Sequence, residues 1–214
     1  MIELGLKFTV AYLIGSILGS LLVGQVQGGI DIRKLGSRNA GGTNALRTQG
    51  KTFAFWVMLI DVGKGVLPVL VLPQLEIPGI GIDTQVSREL IIFAVGFGAI
   101  LGHIYPLWHD FCGGKGGATA AGVICVVAPE VAFLVIPIWF VVVLVTRYVG
   151  LATMSVVVGA SVYIGATQLP QQIELFVFSI MVAVLILYTH RENIKRKVKS
   201  KEIKTERKRV WKER

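Results

Sequence analysis

The chain has 214 residues, of which 53% are hydrophobic and only 16% are charged. Soluble domains carry about 25% charged residues, so this composition, with a mean hydropathy of +0.68, excludes an ordinary soluble domain. It indicates an all-α, polytopic membrane protein. The net charge of +9 is concentrated in residues 190–214, where 12 Lys and Arg residues outnumber 4 acidic ones. Such a tail indicates a cytoplasmic segment beside anionic lipid headgroups, and it lacks the interleaved aromatic residues that favour nucleic-acid binding.

Apolar segments long enough to cross a bilayer recur along the chain. A bilayer core of about 30 Å needs about 20 residues of helix. The segments that approach or meet this requirement lie at 4–24, 53–73, 90–109, 150–168 and 173–189. The first of them lacks a basic n-region and a small-residue cleavage site, so we interpret it as a retained span and not as a signal peptide.

The apolar stretch 117–146 is long for one span and short for two full ones. Lys115 and Arg147 flank it, and both lie on the cytoplasmic side only if the chain crosses the membrane twice. The sequence APE at 128–130 then forms a hairpin tip outside, because proline breaks helices and glutamate resists burial in lipid. We therefore predict seven transmembrane helices within residues 1–189, an outside N-terminus, and a cytoplasmic tail of residues 190–214.

Two glycine-rich polar segments lie at the predicted inner face. LGSRNAGGTNALRTQGK (35–51) precedes the second helix, and GHIYPLWHDFCGGKGGATAAG (102–122) leads into the short fourth helix. Glycine lets backbone N–H groups converge on one anion without obstruction by Cβ atoms. A helix N-terminus directly after such a loop adds unsatisfied N–H groups and the positive end of the helix dipole. Both segments therefore have the design of an anion site.

The other residues of these segments favour phosphate as the anion. Ser37, Thr43 and Asn44 add hydrogen-bond donors, while Arg47 and Lys115 add positive charge. Two flexible turns would account for glycine alone. The combination of glycine with donors and cations, twice on one side of a bilayer, predicts phosphate binding.

Three further ionisable residues near the inner face leave two interpretations open. Asp61 and Lys64 lie three residues apart and share a helix face. Either they compensate each other near the cytoplasmic end of the helix, or Lys64 faces the anionic site. His190, where the seventh helix leaves the membrane, can accept a proton near neutral pH. As an interfacial structural histidine it needs no such role.

Neither a nucleotide loop nor a metal site is expected. GKT occurs at 50–52, but Ala45 stands where the Walker pattern needs glycine and no strand precedes it. The residues HDFC at 109–112, with the nearby His103, match no zinc spacing. Cys112 and Cys125 provide no disulfide framework.

Three blocks of the sequence resemble the signature blocks of the bacterial acyl-phosphate:glycerol-3-phosphate acyltransferase family. They are GSRNAGGTN (36–44), KGVLP (64–68) and GHIYPLWHDFCGGKGGAT (102–119), and TRYVG (146–150) and HREN (190–193) extend the resemblance. It implies transfer of a fatty acyl group from acyl phosphate to the 1-hydroxyl of glycerol 3-phosphate, giving lysophosphatidate and inorganic phosphate. This is the first acylation of phospholipid synthesis, and neither acyl-CoA nor acyl carrier protein is needed.

The resemblance also implies a site, residue by residue. Its catalytic residues would be Ser37, Arg47, Lys115 and His190. Its substrate-binding residues would be Ser37, Asn39, Gly41, Gly42, Thr43, Asn44, Arg47, Lys64, Gly113, Gly114, Lys115, Gly116 and Asn193. In this scheme the first loop holds the donor phosphate, Arg47 binds the acceptor phosphate, and His190 orients Ser37. The proton acceptor stays open between His190 and a substrate phosphate, and an acyl-Ser37 intermediate is the rival route.

The resemblance further implies a multi-pass protein of the bacterial inner membrane with its active site at the cytoplasmic face. We expect small-molecule substrates, contact with membrane lipid, no nucleic acid, no cofactor, no metal and a monomer. Gly150 departs from the family pattern, which has serine there, so a hydroxyl contact is lost. The alternative function is a transporter or flippase of an organic phosphate, which would require inverted repeats and polar groups at the midplane.

Overall fold

The structure, a computed structural model, describes residues 1–80 and 85–194. Within these residues the regular structure is helical and no strand occurs, which confirms the all-α fold class for this part of the chain. The predicted tail beyond residue 194 lies outside the described residues. The helices are α1 (Ile2–Gly15), α2 (Gly19–Val26), α3 (Gly42–Gln49), α4 (Lys51–Val71), α5 (Arg88–Ile104), α6 (Gly117–Val127), α7 (Pro129–Thr146), α8 (Val149–Thr167) and α9 (Ile173–Thr189).

Several helices have the length and apolar character of membrane spans. Among the described residues, four segments qualify alone, namely Lys51–Gln74, Arg88–His109, Pro129–Thr146 and Val149–Thr167. The bent pair α1 and α2 makes a fifth if it crosses the membrane as one span. Helices α6 and α9 are apolar but shorter, with 11 and 17 residues. The count of seven spans and the orientation of the termini stay predictions.

The predicted break within residues 117–146 is present in the structure. Helix α6 ends at Val127, and α7 begins at Pro129 after the single residue Ala128. Proline is tolerated at the first position of a helix, where its missing N–H has no intrahelical partner to lose. The residues that predicted a hairpin tip therefore separate two helices, as expected.

The first apolar segment, in contrast, is broken where the sequence predicted one helix over 4–24. Helices α1 and α2 are bent by 43° at residues 16–18. A break in a membrane helix leaves backbone groups that lipid cannot satisfy. Here the Lys64 ammonium donates to the Ile17 carbonyl at 2.6 Å, and the Gly19 N–H donates to Asp61 at 3.2 Å. Two charges on α4 thus satisfy the backbone of the broken span.

A close packing of α4 against α6 brings the second glycine-rich segment beside the first. A Cβ on Gly65 of α4 would meet the Thr119 carbonyl, and a Cβ on Gly122 of α6 would meet the Val62 carbonyl. Small residues at these points let the two backbones approach, as is usual between membrane helices. The N-terminus of α6 is held in this way next to the helix that follows the first segment.

Candidate active site

One large cavity joins the predicted polar segments to the apolar interior of the bundle. Its volume is about 1690 Å³. Predicted site residues line one end of it, namely Ser37, Asn39, Gly41, Gly42, Thr43, Asn44, Arg47, Lys115, His190 and Asn193. Apolar side chains from α6, α7, α8 and α9 line the rest. The structure therefore brings both glycine-rich segments and the end of α9 together, although up to 156 positions separate them in the sequence.

The side chain of Asn44 organises the first segment from within. Asn44 is only 1% exposed. Its amide nitrogen donates to the carbonyls of Ile32, Leu35 and Asn39 at 2.9 to 3.0 Å, and its amide oxygen accepts the Ser37 N–H at 2.9 Å. Since these bonds occupy the amide, the Asn44 side chain holds the loop. This differs from the predicted contact between Asn44 and substrate.

The first segment then forms α3, a short polar helix where the sequence predicted only a loop before the apolar helix. Gly41 caps α3, and Gly42 and Thr43 supply its first N–H groups beside the cavity. A Cβ on Gly42 would lie 2.5 Å from the sulfur of Met58, so a larger residue there requires the Met58 side chain to move. Arg47, one turn further along α3, lines the same cavity. The positive end of the α3 dipole and the Arg47 guanidinium therefore both border the same cavity.

The second segment holds its glycines differently from the prediction. The N–H groups of Gly113 and Gly114 donate to the carbonyls of Ile104 and His103 at 3.2 and 3.0 Å. These N–H groups are therefore committed to the end of α5, and both glycines lie outside the cavity lining. The predicted direct contacts of Gly113 and Gly114 with substrate are not what the geometry favours, because their donors are already used. Both residues support the loop.

The N-terminus of α6 brings to the cavity two residues that the predicted site did not include. Gly116 precedes α6 with a φ of +86°, a left-handed conformation that suits glycine. It lies outside the lining, whereas the next two residues, Gly117 and Ala118, line the cavity. Their N–H groups are the first of α6. The sequence predicted a helix directly after the second glycine loop, and the residues that line the cavity there are Gly117 and Ala118 and not Gly113, Gly114 or Gly116.

Lys115 is fixed by the end of α9. Its ammonium donates to the Asn193 side-chain oxygen at 2.6 Å, and its carbonyl accepts the Thr189 hydroxyl at 3.1 Å. Lys115 and Asn193 both line the cavity. The positive charge of the second segment is thereby held at the polar end of the cavity through two contacts with the same turn of chain.

His190 lies buried at the polar end of the cavity and is 5% exposed. Its Nδ1 is 2.8 Å from the Ile186 carbonyl, which can only accept, so Nδ1 carries the proton and Nε2 keeps a lone pair. Burial lowers the pKa of His190, the hydrogen bond to the Ile186 carbonyl partly opposes this effect, and the nearby positive charge of Lys115 adds a small further lowering. His190 is therefore neutral near pH 7, with Nε2 as an acceptor.

The backbone at Gly150 lies against His190 and Asn193, which follow the end of α9. A Cβ on Gly150 would lie 2.7 Å from the Asn193 amide nitrogen and 3.3 Å from Cδ2 of His190. A side chain here has to displace the Asn193 amide. The departure from the family pattern therefore places a bare backbone beside Asn193, where a seryl hydroxyl was expected.

The geometry does not favour the predicted contact of Lys64 with substrate. The Lys64 ammonium lies 3.0 Å from Asp61 and donates to the Ile17 carbonyl, and Lys64 does not line the cavity. Of the two interpretations, the structure supports mutual compensation of the two charges. Nδ1 of His103 lies 3.5 Å from the same Asp61 oxygen. The cavity reaches Asp61 and His103, which the prediction did not place in the site.

Two arginines at the cavity were also missed. Arg38 and Arg147 line it, and both have left-handed backbone conformations with φ of 62° and 58°. Non-glycine residues in this region cost conformational energy and cluster at functional sites. The signal in the sequence was their position, since Arg38 lies inside the first glycine segment and Arg147 flanks the span at the inner face. Together with Arg47 and Lys115, they make this end of the cavity strongly positive.

A separate arginine ties the two segments to each other. Arg33 donates to the carbonyls of His109 and Cys112, both at 3.3 Å. Asp31 holds the guanidinium through bonds of 3.0 and 3.1 Å. The Arg33 side chain holds the pKa of Asp31 below its usual value, so the pair is charged at neutral pH. The turn of chain just before the first segment therefore anchors the loop that leads to Lys115.

Comparison with known proteins assigns the chain to a family. A family model described as glycerol-3-phosphate acyltransferase matches residues 6–200. The chain belongs to this family. Glycerol-3-phosphate acyltransferases with 35% identity in Aquifex aeolicus and 38% identity in Desulforamulus reducens are similar over 90% and 91% of this chain, and over 94% and 91% of their own length.

A solved member of the glycerol-3-phosphate acyltransferase family has a similar fold. The crystal structure of PlsY, an integral membrane glycerol 3-phosphate acyltransferase in its glycerol 3-phosphate form, is 34% identical, with a TM-score of 0.79 and 92% coverage of both chains. The lysophosphatidic acid form of PlsY gives a TM-score of 0.77. The protein is thus an integral membrane member of the family, as the sequence resemblance predicted.

Proposed function

We propose that this protein transfers a fatty acyl group from acyl phosphate to the 1-hydroxyl of glycerol 3-phosphate. Family membership makes it a glycerol-3-phosphate acyltransferase and hence an enzyme of phospholipid synthesis. The observation that supports the donor is the single cavity, which is positive at one end and apolar over the rest. An acyl phosphate matches both parts, because its phosphate is negatively charged and its acyl chain is apolar. Membership of an acyltransferase family favours this reaction over transport or flipping of an organic phosphate.

Two helix N-termini and the cations beside them account for both phosphate groups. The first N–H groups of α3, from Gly42 and Thr43, and those of α6, from Gly117 and Ala118, border one cavity. Each helix end stabilises an anion through its dipole and its unsatisfied donors. We assign Lys115 to neutralise the charge that develops on the leaving phosphate, as in other sites that stabilise a transition state by fixed charge.

The acceptor is held by Ser37, Arg47 and His190 in this proposal. Arg47 can bind a phosphate through two parallel hydrogen bonds. The lone pair on Nε2 of His190 can accept the hydrogen bond of the attacking hydroxyl, and the Ser37 hydroxyl can bind either partner. Holding both substrates in one orientation supplies much of the rate enhancement expected of such an enzyme.

The proton of the attacking hydroxyl goes to phosphate in this scheme. The hydroxyl oxygen forms a bond to the acyl carbonyl carbon, the bond from that carbon to the phosphate oxygen breaks, and the departing phosphate takes the proton. Burial and Lys115 lower the pKa of His190, which disfavours the imidazolium form. The protein then positions groups and stabilises charge. An acyl-Ser37 intermediate remains the rival route and is tested below.

The membrane arrangement is part of the proposal. Seven crossings result if α1 and α2 form one span and the short helices α6 and α9 also cross. The cations that line the cavity then face the cytoplasm of the bacterium, in agreement with the positive-inside rule. We propose a monomer in the inner membrane that draws the acyl phosphate from lipid and glycerol 3-phosphate from the cytosol.

The decisive experiment measures phosphate release by the purified protein in detergent. With palmitoyl phosphate, we expect inorganic phosphate and lysophosphatidate to form in equal amounts, and only when glycerol 3-phosphate is present. Equal or higher rates with palmitoyl-CoA would contradict the donor. Intact-mass analysis after mixing with palmitoyl phosphate alone tests the rival route, since an added palmitoyl group that is absent in Ser37→Ala would establish acyl-Ser37.

A further inference from the structure

The apolar part of the cavity runs along α8 and α9 away from the phosphate end. Along α9 the lining extends from His190 to Phe178, which corresponds to about 18 Å at 1.5 Å per residue. Along α8 it extends from Gly150 to Ala160, or about 15 Å on the same scale. Since Lys115 lies beside Thr189 and Asn193, a chain attached to the phosphate would follow these helices outward.

The lining ends at a similar depth on four helices. The last lining residues before the far end of the bundle are Cys125 on α6, Val135 on α7, Ala160 on α8 and Phe178 on α9. Residues further along the same helices fill the bundle with tightly packed apolar side chains. These residues, Val131 on α7, Ile164 on α8 and Leu175 on α9, are at most 4% exposed and belong to the same hydrophobic cluster as Phe178.

Phe178 is the largest side chain of this floor, and its ring is fixed from behind. It is 6% exposed and stacks on Phe93 of α5, with ring centroids 5.3 Å apart and planes at 24°. On another side, a Cβ on Gly96 would lie 3.6 Å from the end of the Phe178 ring, so the ring rests on bare helix backbone. The ring cannot retreat without disturbing α5.

We propose that Phe178 sets the upper length of the acyl chain that this enzyme accepts. The inference rests on the proposed function, because it requires the acyl group to occupy this cavity. The methyl end of the chain meets the Phe178 ring, and a longer chain has to leave methylenes unburied or displace packed side chains. Since burial of one methylene raises affinity by about fourfold, a fixed floor discriminates between chains that differ by two carbons.

The test is the ratio of kcat/KM for stearoyl phosphate to that for myristoyl phosphate, measured on one preparation. We expect Phe178→Ala to raise this ratio at least about tenfold, because removal of the ring extends the cavity by several methylene volumes. Ala160→Leu fills the floor from the opposite helix and should lower the ratio. The ratio does not depend on the fraction of folded enzyme, so a loss of stability does not obscure it. Phe178→Leu provides a second, milder enlargement.

Phe53→Ala is the matched control, since Phe53 is also a buried phenylalanine but belongs to a different hydrophobic cluster from Phe178 and does not line the cavity. It should lower stability and leave the ratio unchanged. An unchanged ratio in Phe178→Ala, with an active wild-type enzyme, would overturn the inference alone. A wild-type enzyme that is inactive with every acyl phosphate from lauroyl to stearoyl would instead overturn the proposed function.

Discussion

The imidazole of His103 occupies the space into which a Cβ on Gly114 would project, so the two residues fit only because one has no side chain. His103 is fixed by burial and by its neighbour Asp61, and its own carbonyl accepts the Gly114 N–H. The loop that carries Lys115 is therefore positioned by its packing against the end of α5. Neither residue needs to touch substrate for this fit to affect catalysis.

We predict that the Gly114→Ala variant loses most activity and that His103→Ala partly restores it. The alanine methyl group collides with the imidazole and shifts the loop, whereas the double variant has room for it. The coupling between residues in direct contact supports a recovery of about tenfold in kcat/KM. The assay compares both single variants with the double variant. Strictly additive losses would contradict the claim that the fit between Gly114 and His103 positions the loop.

The three groups assigned to charge and positioning are expected to be individually essential. Ser37→Ala, Arg47→Ala and Lys115→Ala should each lower kcat/KM by about a hundredfold or more, as expected when a group that stabilises the transition state is lost. Thermal unfolding should be close to that of the wild type. Lys34→Ala is the control, because Lys34 is an exposed cation near Arg38 that does not line the cavity. Full activity in any of the three variants would remove that residue from the site.

The stability of the protein should decrease as the pH falls below about 6.5, in part because of His190. The pKa of His190 is lowered in the folded protein by burial and by Lys115, so the unfolded chain binds more protons between the two pKa values. The stabilising contribution is complete above the unfolded pKa and is lost as the pH falls through the folded pKa. In melting experiments from pH 7.5 downward, His190→Asn should show a shallower decline in Tm. Identical slopes would contradict the shift.

Replacement of Lys64 alone should be much more harmful to the fold than replacement of both members of its pair. Lys64→Met leaves the fully buried Asp61 without its ion partner, a loss of about 3–5 kcal/mol in comparable buried pairs. The double variant Asp61→Asn, Lys64→Met removes both charges and should recover part of this loss. Thermal unfolding in detergent measures the difference, and equal destabilisation of the two variants would count against compensation.

The sequence was sufficient for features that depend on local chemistry. Proline and glutamate at 129 and 130 predicted the break between α6 and α7, because each disfavours a continuous buried helix whatever surrounds it. Glycine, hydroxyl groups and cations singled out two segments, and residues of both line the same cavity. These residues act through properties that they carry into any fold.

Features that depend on a distant partner could not be predicted. The break between α1 and α2 is stable because Asp61 and Lys64 form hydrogen bonds with its backbone. The sequence around residue 17 contains no signal for these contacts. Likewise, the division between supporting and lining glycines depends on which N–H groups already have an acceptor. Gly114 donates to a carbonyl eleven residues upstream in the chain, which no motif encodes.

The contacts between Lys115 and the end of α9 have a consequence for how the enzyme is made. Thr189 and Asn193 hold Lys115, and His190 lies between them in the sequence. All three line the cavity, so the predicted boundary between the transmembrane part and the tail, after residue 189, falls within the cavity wall. During synthesis, the first eight helices leave the ribosome before this turn of chain exists. A nascent chain therefore has no assembled site until α9 and the turn of chain that follows it have been made. Acylation requires synthesis to have passed Asn193.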